Sequence, residues 1–410
     1  MIVNWTIDEI ADTIKNSITG AGSVGQDVNA DGSATVNEVA APIETPAAPP
    51  QLPDSLPRAR LQKLVKDMGK IVSDHGIDTA EYVTLGGVRQ WITIRGQDQR
   101  QPILLYLHGG PGGALSHWSF VFQRPWEDYF TVVNWDQRGF GKSNIDGDAL
   151  KGTLNKDQLA SDAIELIDYL RTRFGREKIV LVGQSWGSLL GLEVAKRAPD
   201  RLFVLATIGQ ATAWEEMFEY TKQSLIDLAR ETGDSELEAA MIATGPFPPA
   251  DDEAARAAWI STVQMAMGVR GYSYHNGAGP EGFGDRFETL LLISPDVDAD
   301  RFAAMVGDTN AVERIRAMTA SIAGWSAAKD IGSIEVPYVI FQGTYDWQTP
   351  TGLARIWFEQ ADAPWKLWIE MPNSAHFVGP EEPGRMIVEL HNKVLPATRG
   401  EIPAGAILRG

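Results

Sequence analysis

Four consecutive aliphatic residues, Ile179-Val180-Leu181-Val182, run straight into Gly183-Gln184-Ser185-Trp186-Gly187, and a helical pattern follows from Leu189 to Arg197. A short, wholly apolar run of this kind reads as a strand buried on both faces, which calls for a parallel sheet covered by helices. The turn from strand to helix is sharp, and glycine is needed on either side of the serine because a Cβ there would meet neighbouring backbone. Such a turn lifts the Ser185 side chain clear of the sheet. The helix that begins just after it turns its positive end towards any negative charge developing there. In this strand–turn–helix setting G-x-S-x-G marks a nucleophile.

The rest of the chain repeats the same rhythm. Tyr82 to Leu85 and Val88 to Ile94 flank Gly86-Gly87, a hairpin signal. Apolar runs recur at Ile103–Leu107, Thr131–Trp135, Leu202–Ile208, Pro337–Phe341 and Lys366–Met371, with helical patterns between several of them, such as Lys156–Phe174. Alternating strands and helices predict an α/β class, a mostly parallel sheet with helices on both faces. The rhythm breaks over 212–331. That stretch is helix-rich, carries Trp214, Trp259 and Trp325, and has a Gly-rich segment from Gly277 to Gly284. An insertion of this length between two sheet strands is expected to form a helical cap over the site, leaving 61–211 and 332–410 as the core.

Before the core lies a linker over 41–60, dense in proline (Pro42, Pro46, Pro49, Pro50, Pro53, Pro57), which runs into a helical pattern from Arg58 to Asp74. Proline at that density makes an extended spacer and no core. Residues 1–40 form a small separate segment. Here Asp27-Val28-Asn29-Ala30-Asp31-Gly32-Ser33 and, further on, Glu38 fit the spacing of a calcium loop. Asp27, Asn29 and Asp31 offer side-chain oxygens, Ser33 its carbonyl and Glu38 two oxygens, with Gly32 at the sharp turn. The loop resembles an EF-hand, more closely a dockerin-type one. Calcium there would serve stability or attachment.

The chain has no cysteine, so thiol catalysis and disulfides are excluded. A net charge of −18, from 54 acidic against 36 basic residues, argues against a nucleic-acid partner or an anionic membrane surface. No apolar run approaches the roughly 20 residues that span a bilayer. No basic-then-apolar start marks a signal peptide, so the expectation is a cytoplasmic protein or a processed form of an exported one. The oligomeric state is not legible.

A serine nucleophile needs a positioned base and a carboxylate behind it. His376 follows the last predicted strand and so stands at the carboxyl edge of the sheet, where Ser185 also stands. Asp346 follows the strand Pro337–Phe341, and the order Ser185, Asp346, His376 is the α/β-hydrolase order. His108-Gly109-Gly110-Pro111-Gly112-Gly113 follows Ile103–Leu107. Its Gly110 amide, with that of Trp186, is expected to form the oxyanion hole. His108 itself reads as structural, as do Asp136 and Arg138 of Asp136-Gln137-Arg138-Gly139. His376 would take the Ser185 proton, Ser185 would attack a carbonyl, and water would release the acyl-enzyme. The chemistry calls for no cofactor.

His-Gly-Gly-Pro-Gly-Gly at 108–113, Asp-Gln-Arg-Gly-Phe-Gly-Lys-Ser at 136–143, Gly-Gln-Ser-Trp-Gly-Ser at 183–188 and the late Asp346 and His376 resemble the prolyl aminopeptidase (proline iminopeptidase) family of α/β-hydrolases over residues 80–395. The resemblance implies that fold, a serine peptidase or amidase acting on small N-terminal residues, and cap carboxylates that hold the substrate's free amino group. A Trp-Glu-x-Glu cap segment found near the type enzyme is absent. The acids available are Glu215, Glu216 and Glu219, or Glu281 and Asp285, with His275 as a further cap residue able to touch substrate. A carboxylesterase or lactonase is the alternative, since the same triad serves both bonds, and a non-catalytic binding protein is a third reading. The expected ligand is a small molecule or short peptide.

Overall fold

The computed structural model describes residues 57–144, 150, 152–249, 252–275, 290–298, 308 and 310–409, with the backbone of two short strands nearer the N-terminus. Those strands, β1 (Gly25–Val28) and β2 (Ala34–Asn37), pair antiparallel with Asp27 opposite Thr35. The Asp27 side chain and all of Asn29, Asp31, Ser33 and Glu38, the proposed calcium ligands, lie outside the described residues.

Nine strands form one sheet: β3 (Ile77–Leu85), β4 (Val88–Gly96), β5 (Ile103–Leu107), β6 (Thr131–Trp135), β7 (Ile179–Ser185), β8 (Leu202–Gln210), β9 (Tyr338–Gly343), β10 (Trp365–Met371) and β11 (Ile407–Leu408). Their order is β11-β10-β9-β8-β7-β5-β6-β4-β3. The six strands from β5 to β10 are mutually parallel, and β3, β4 and β11 complete the sheet antiparallel. This is the α/β-hydrolase fold.

Local chemistry explains the pieces. Gly86 and Gly87 both take positive φ, 53° and 76°, the two-residue turn whose twist matches a hairpin. Strands β5, β6 and β7 are buried along their whole length, including the polar Thr131, Asn134, Gln184 and Ser185, as central parallel strands covered on both faces are. Alternate residues feed two cores. Leu105, Leu107, Leu181 and Val133 pack with the helices Lys156–Phe174 and Trp186–Arg197. Leu104, Val132, Val180 and Val182 pack on the opposite face with Trp126, Val378 and Leu390. Each such aliphatic side chain contributes about 1.5–3 kcal/mol on burial, which fixes strand register.

One helix end differs from the sequence expectation. The helix expected over Arg58–Asp74 stops at Met68, because Gly69 ends it and its carbonyl is taken by the Arg95 guanidinium of β4. The helix after the serine starts at Trp186, immediately behind it, as expected.

Between β8 and β9 lie the helices Trp214–Thr232, Ser235–Ala243, Glu253–Gly268 and Ala311–Ala320. The first three share a small core of their own around Phe218, Leu225, Met241, Trp259 and Val263. Helix Arg58–Met68 buries none of its residues and is held to this insertion by polar bonds. Arg58 donates to the Val297 carbonyl at 2.6 Å, and Gln62 to the Ser294 and Val297 carbonyls, both at 2.7 Å. Among the described residues no helix is long and apolar enough to cross a membrane.

Candidate active site

Ser185 ends β7 and is the residue just before the helix Trp186–Arg197. Its φ is 53°, and no other non-glycine residue among those described has a positive φ. That conformation costs about 1–3 kcal/mol and persists only where the surroundings impose it. They do so here. A Cβ on Gly183 would run into the Gly187 carbonyl, and one on Gly187 into the Leu107 carbonyl of β5. Both flanking glycines are thus required by close backbone approach, as the sequence suggested.

The residues expected as base and acid follow β10 and β9, which lie beyond β8 from β7. His376 lies just past β10 and Asp346 just past β9, and both are almost wholly buried. The His376 Nδ1 hydrogen points at Asp346 Oδ2, 2.9 Å away, with Thr349 Oγ1 also near at 3.2 Å. This assignment leaves Nε2 unprotonated and able to accept a proton. The Asp346 carboxylate is saturated with donors. Oδ1 accepts from the Gln348 and Thr349 amides, each at 2.9 Å. Oδ2 accepts from Thr349 Oγ1 at 2.7 Å and Gln342 Nε2 at 3.1 Å. A carboxylate held by this many donors is fixed in orientation although it is wholly buried.

Strand β8 brings the halves together. Ser185 is registered against Gln210, and the neighbouring Gly209 lies against the acid–base pair. A Cβ on Gly209 would sit 3.0 Å from His376 Nδ1 and 3.1 Å from Asp346 Oδ2. Gln184 Nε2 donates to the His376 carbonyl at 3.5 Å, a second link from the serine turn to the base loop.

The glycine loop after β5 covers the serine. A Cβ on Gly109 would come within 3.1 Å of Ser185 Cβ and 3.2 Å of the Gln184 carbonyl, tighter than ordinary contact, so glycine eases the approach of this backbone to Ser185. Gly110 follows with φ 119°. Trp186 opens its helix, so its amide is one of the first-turn donors with no partner inside the helix. Gly110 and Trp186 are the two residues whose amides the sequence led one to expect at an oxyanion hole.

His108 latches this loop in place. Its Nδ1 hydrogen goes to the Gly109 carbonyl at 2.9 Å, and its Nε2 accepts the Gln137 amide at 3.1 Å. Burial pushes its pKa down to about 4, outweighing the opposite pull of the Gly109 carbonyl. An unfolded histidine titrates near 6.5, so the unfolded chain binds the extra proton between these values. His108 therefore supports stability fully above about pH 6.5 and loses that support as pH falls through about 4, a change of about 3 kcal/mol. We expect the urea midpoint to fall over this window, and to fall less in His108→Gln. Equal slopes in the two proteins would remove His108 as the source.

The other predicted site residues lie elsewhere in the bonding network. Glu215 pairs with Arg256 at 2.9 Å and accepts the Gly324 amide. Glu219 accepts the Phe247 amide at 2.5 Å, and Glu216 is exposed. His275 stacks on Tyr345, centroids 3.8 Å apart. Glu281 and Asp285 lie outside the described residues. No hydrogen bond among the described residues joins Glu215, Glu216 or Glu219 to the triad. No group of three or more His, Asp or Glu among the described residues could hold a metal. Thr349 and Gln342, which fix the acid, were missed in the sequence. Thr349 had a signal, standing three residues after an aspartate in a turn, where Asp side chains bind following amides.

Comparison with known proteins agrees with the fold. A family model described as alpha/beta hydrolase fold matches residues 102–242. The probable aminopeptidase YbaC of Bacillus subtilis (strain 168) is 26% identical over 312 residues, covering 73% of this chain and 91% of that protein. A proline iminopeptidase of Lactobacillus delbrueckii subsp. lactis is 26% identical over 180 residues, 41% of this chain and 60% of that protein. The crystal structure of the Mycobacterium smegmatis proline iminopeptidase superposes with a TM-score of 0.51 at 18% identity, covering 79% of this chain and 100% of that one. The chain is thus a hydrolase of the α/β-hydrolase fold with prolyl aminopeptidase-like homologues.

Proposed function

We propose that the protein is a serine aminopeptidase or amidase that works through an acyl-enzyme at Ser185, on substrates with a small N-terminal residue. The observation that carries the chemistry is the buried Asp346–His376 hydrogen bond of 2.9 Å at the edge where strained Ser185 stands. His376 Nε2 takes the Ser185 proton as Oγ attacks the carbonyl carbon. Asp346 stabilises the imidazolium that results. The Gly110 and Trp186 amides receive the oxyanion. His376 then returns the proton to the leaving amine, and water, with His376 again as base, frees the acid. The helical insertion over 212–331 serves as the cap that selects the substrate. Metal and cofactor have no part in these steps.

The choice of an amide with a free amino terminus follows the names of the relatives, YbaC above all, with which the match covers most of both chains. One observation favours the second reading, a carboxylesterase or lactonase. Glu215 and Glu219 are already engaged by Arg256 and the Phe247 amide, whereas an ammonium needs a carboxylate of its own. The deciding assay compares a prolyl anilide, its N-blocked counterpart and a short-chain aryl ester. Hydrolysis of the free anilide and not the blocked one is the expected result. Fast ester cleavage with neither anilide touched overturns the aminopeptidase reading in favour of the esterase.

A further inference from the structure

Five residues of the insertion, Gly271 to His275, run between the loop that carries Asp346 and the loop that carries His376, and bond to both. On the acid side, the Trp347 amide donates to the Tyr272 carbonyl at 3.0 Å. The Tyr272 ring stacks flat on Trp347, centroids 3.7 Å apart and planes 2° from parallel. Ser273 Oγ donates to Gln348 Oε1 at 3.0 Å, and the Gln348 amide is one of the donors on Asp346. The His275 ring stacks on Tyr345 with planes 1° apart. On the base side, the His376 amide itself donates to the Ser273 carbonyl at 3.0 Å. The His275 amide donates to Glu381 Oε1, and Glu381 Oε2 accepts the Ala375 amide.

Three of these contacts, the Trp347 hydrogen bond and the two ring stacks, fall on residues adjacent to Asp346, and one hydrogen bond falls on the amide of His376 itself. A further cap bond acts on the same acid loop, since Thr221 of helix Trp214–Thr232 donates to the Trp347 carbonyl at 2.5 Å. A structural strut needs only to hold the insertion on the core. This one holds it by the two loops whose separation sets the Asp346–His376 distance.

We propose that Gly271–His275 is a clasp that positions the acid and base loops, with Tyr272, Ser273 and His275 as positioning residues, so that the triad is assembled only while this segment is docked. The inference rests on the triad reading above. Its physical basis is the steep dependence of proton transfer on geometry, where a misplacement of about 1 Å costs on the order of 100-fold in rate. Flat stacks suit the task because they bury large apolar faces and fix the spacing and tilt of the two loops without demanding a fixed hydrogen-bond direction.

The test uses the full chain with Tyr272→Ala, Tyr272→Phe, His275→Ala, His275→Phe and Ser273→Ala, beside Ser185→Ala. Turnover of a short-chain aryl ester and the rate of labelling by a fluorophosphonate are both measured, with Tm as the folding control. The alanine variants at 272 and 275 are expected to lose about 10–100-fold in kcat and in labelling rate. Their KM is expected to stay within about threefold, the pattern of a lost transition-state arrangement. The phenylalanine variants restore the stacks and most of the rate. Should the two ring deletions fail to fold, Ser273→Ala decides, since it removes only the bond to Gln348 and is expected to cost about threefold or more in kcat at unchanged Tm. Wild-type kcat in the folded alanine variants, a rise in KM alone, or no rescue by phenylalanine overturns the clasp. If Ser185→Ala keeps its activity and still labels, the triad reading itself has failed. A dead Ser185→Ala beside a fully active Tyr272→Ala leaves the triad standing and removes the clasp.

Discussion

Ser185→Ala is expected to fold normally and to lose at least about 10⁴-fold in kcat, since members of a triad act as a unit and removal of the nucleophile abolishes the covalent route. Folding is expected to survive because the elbow is imposed from outside the serine. Gly183, Gly187 and the Leu107 carbonyl fix the turn, and the strained φ of 53° is one that alanine bears as poorly and as well as serine. Ser185 Oγ is not what holds the turn to its neighbours. The Ser188 hydroxyl donates to the Ser185 carbonyl and accepts the Ala211 amide, tying the elbow to the end of β8. Turnover of the aryl ester by the variant, with thermal unfolding alongside, checks this. A folded Ser185→Ala with wild-type turnover would falsify the assignment of the nucleophile.

The largest stability effect is expected at Arg138. Its side chain and that of Asp162 are fully buried and joined twice, at 2.7 Å and 2.9 Å. Arg138 also donates to the Leu85 and Gly86 carbonyls at the β3–β4 turn, and Asp162 also accepts from Gln90 and Gln158. Arg138→Ala leaves a carboxylate inside the protein with no counter-charge, and removing one partner of such a pair costs about 3–5 kcal/mol. Denaturant unfolding reads this directly. Adding Asp162→Asn to Arg138→Ala is expected to recover part of the loss, because the stranded charge goes with it. A loss under about 1 kcal/mol for Arg138→Ala would show that water reaches the site. Arg138 thus joins the first hairpin to the helix Lys156–Phe174, which is why the Asp-Gln-Arg-Gly motif beside the nucleophile is structural.

The core was legible because its signals are local. Short, largely apolar runs gave β5 and β6 residue for residue, and the positions of Asp346 and His376 followed from the strands before them. The limits of β7 were not visible, since Gly183 to Ser185 read as a turn although the chain keeps its pairing with β8 up to Gln210. The insertion was harder, because what matters there is pairing over distance. Glu215 read as a candidate for substrate until Arg256, 41 residues on, took its carboxylate. Tyr272 and His275 sit in a segment with no helical or strand periodicity. Their partners Trp347 and Tyr345 are far along the chain, so stacking could not be read from spacing. His108 was legible as structural only from its place at the head of the glycine loop.

The strand–helix–strand unit from β9 to β10 has a consequence for how the machinery comes together in time. Asp346 and His376 are 30 residues apart and stand at the ends of adjacent parallel strands, Gly343 beside Met371. The serine turn joins the base loop only across 192 residues. Chain-closure entropy grows with the logarithm of the span, so the second union costs about 1.6 kcal/mol more than the first, before the insertion stiffens the path. The Asp346–His376 pair thus closes the shorter span, with the Gly271–His275 segment packed against both of its loops. The Ser185 turn is built by an earlier part of the chain, and β8, paired with β7 and touching the pair through Gly209, lies between them.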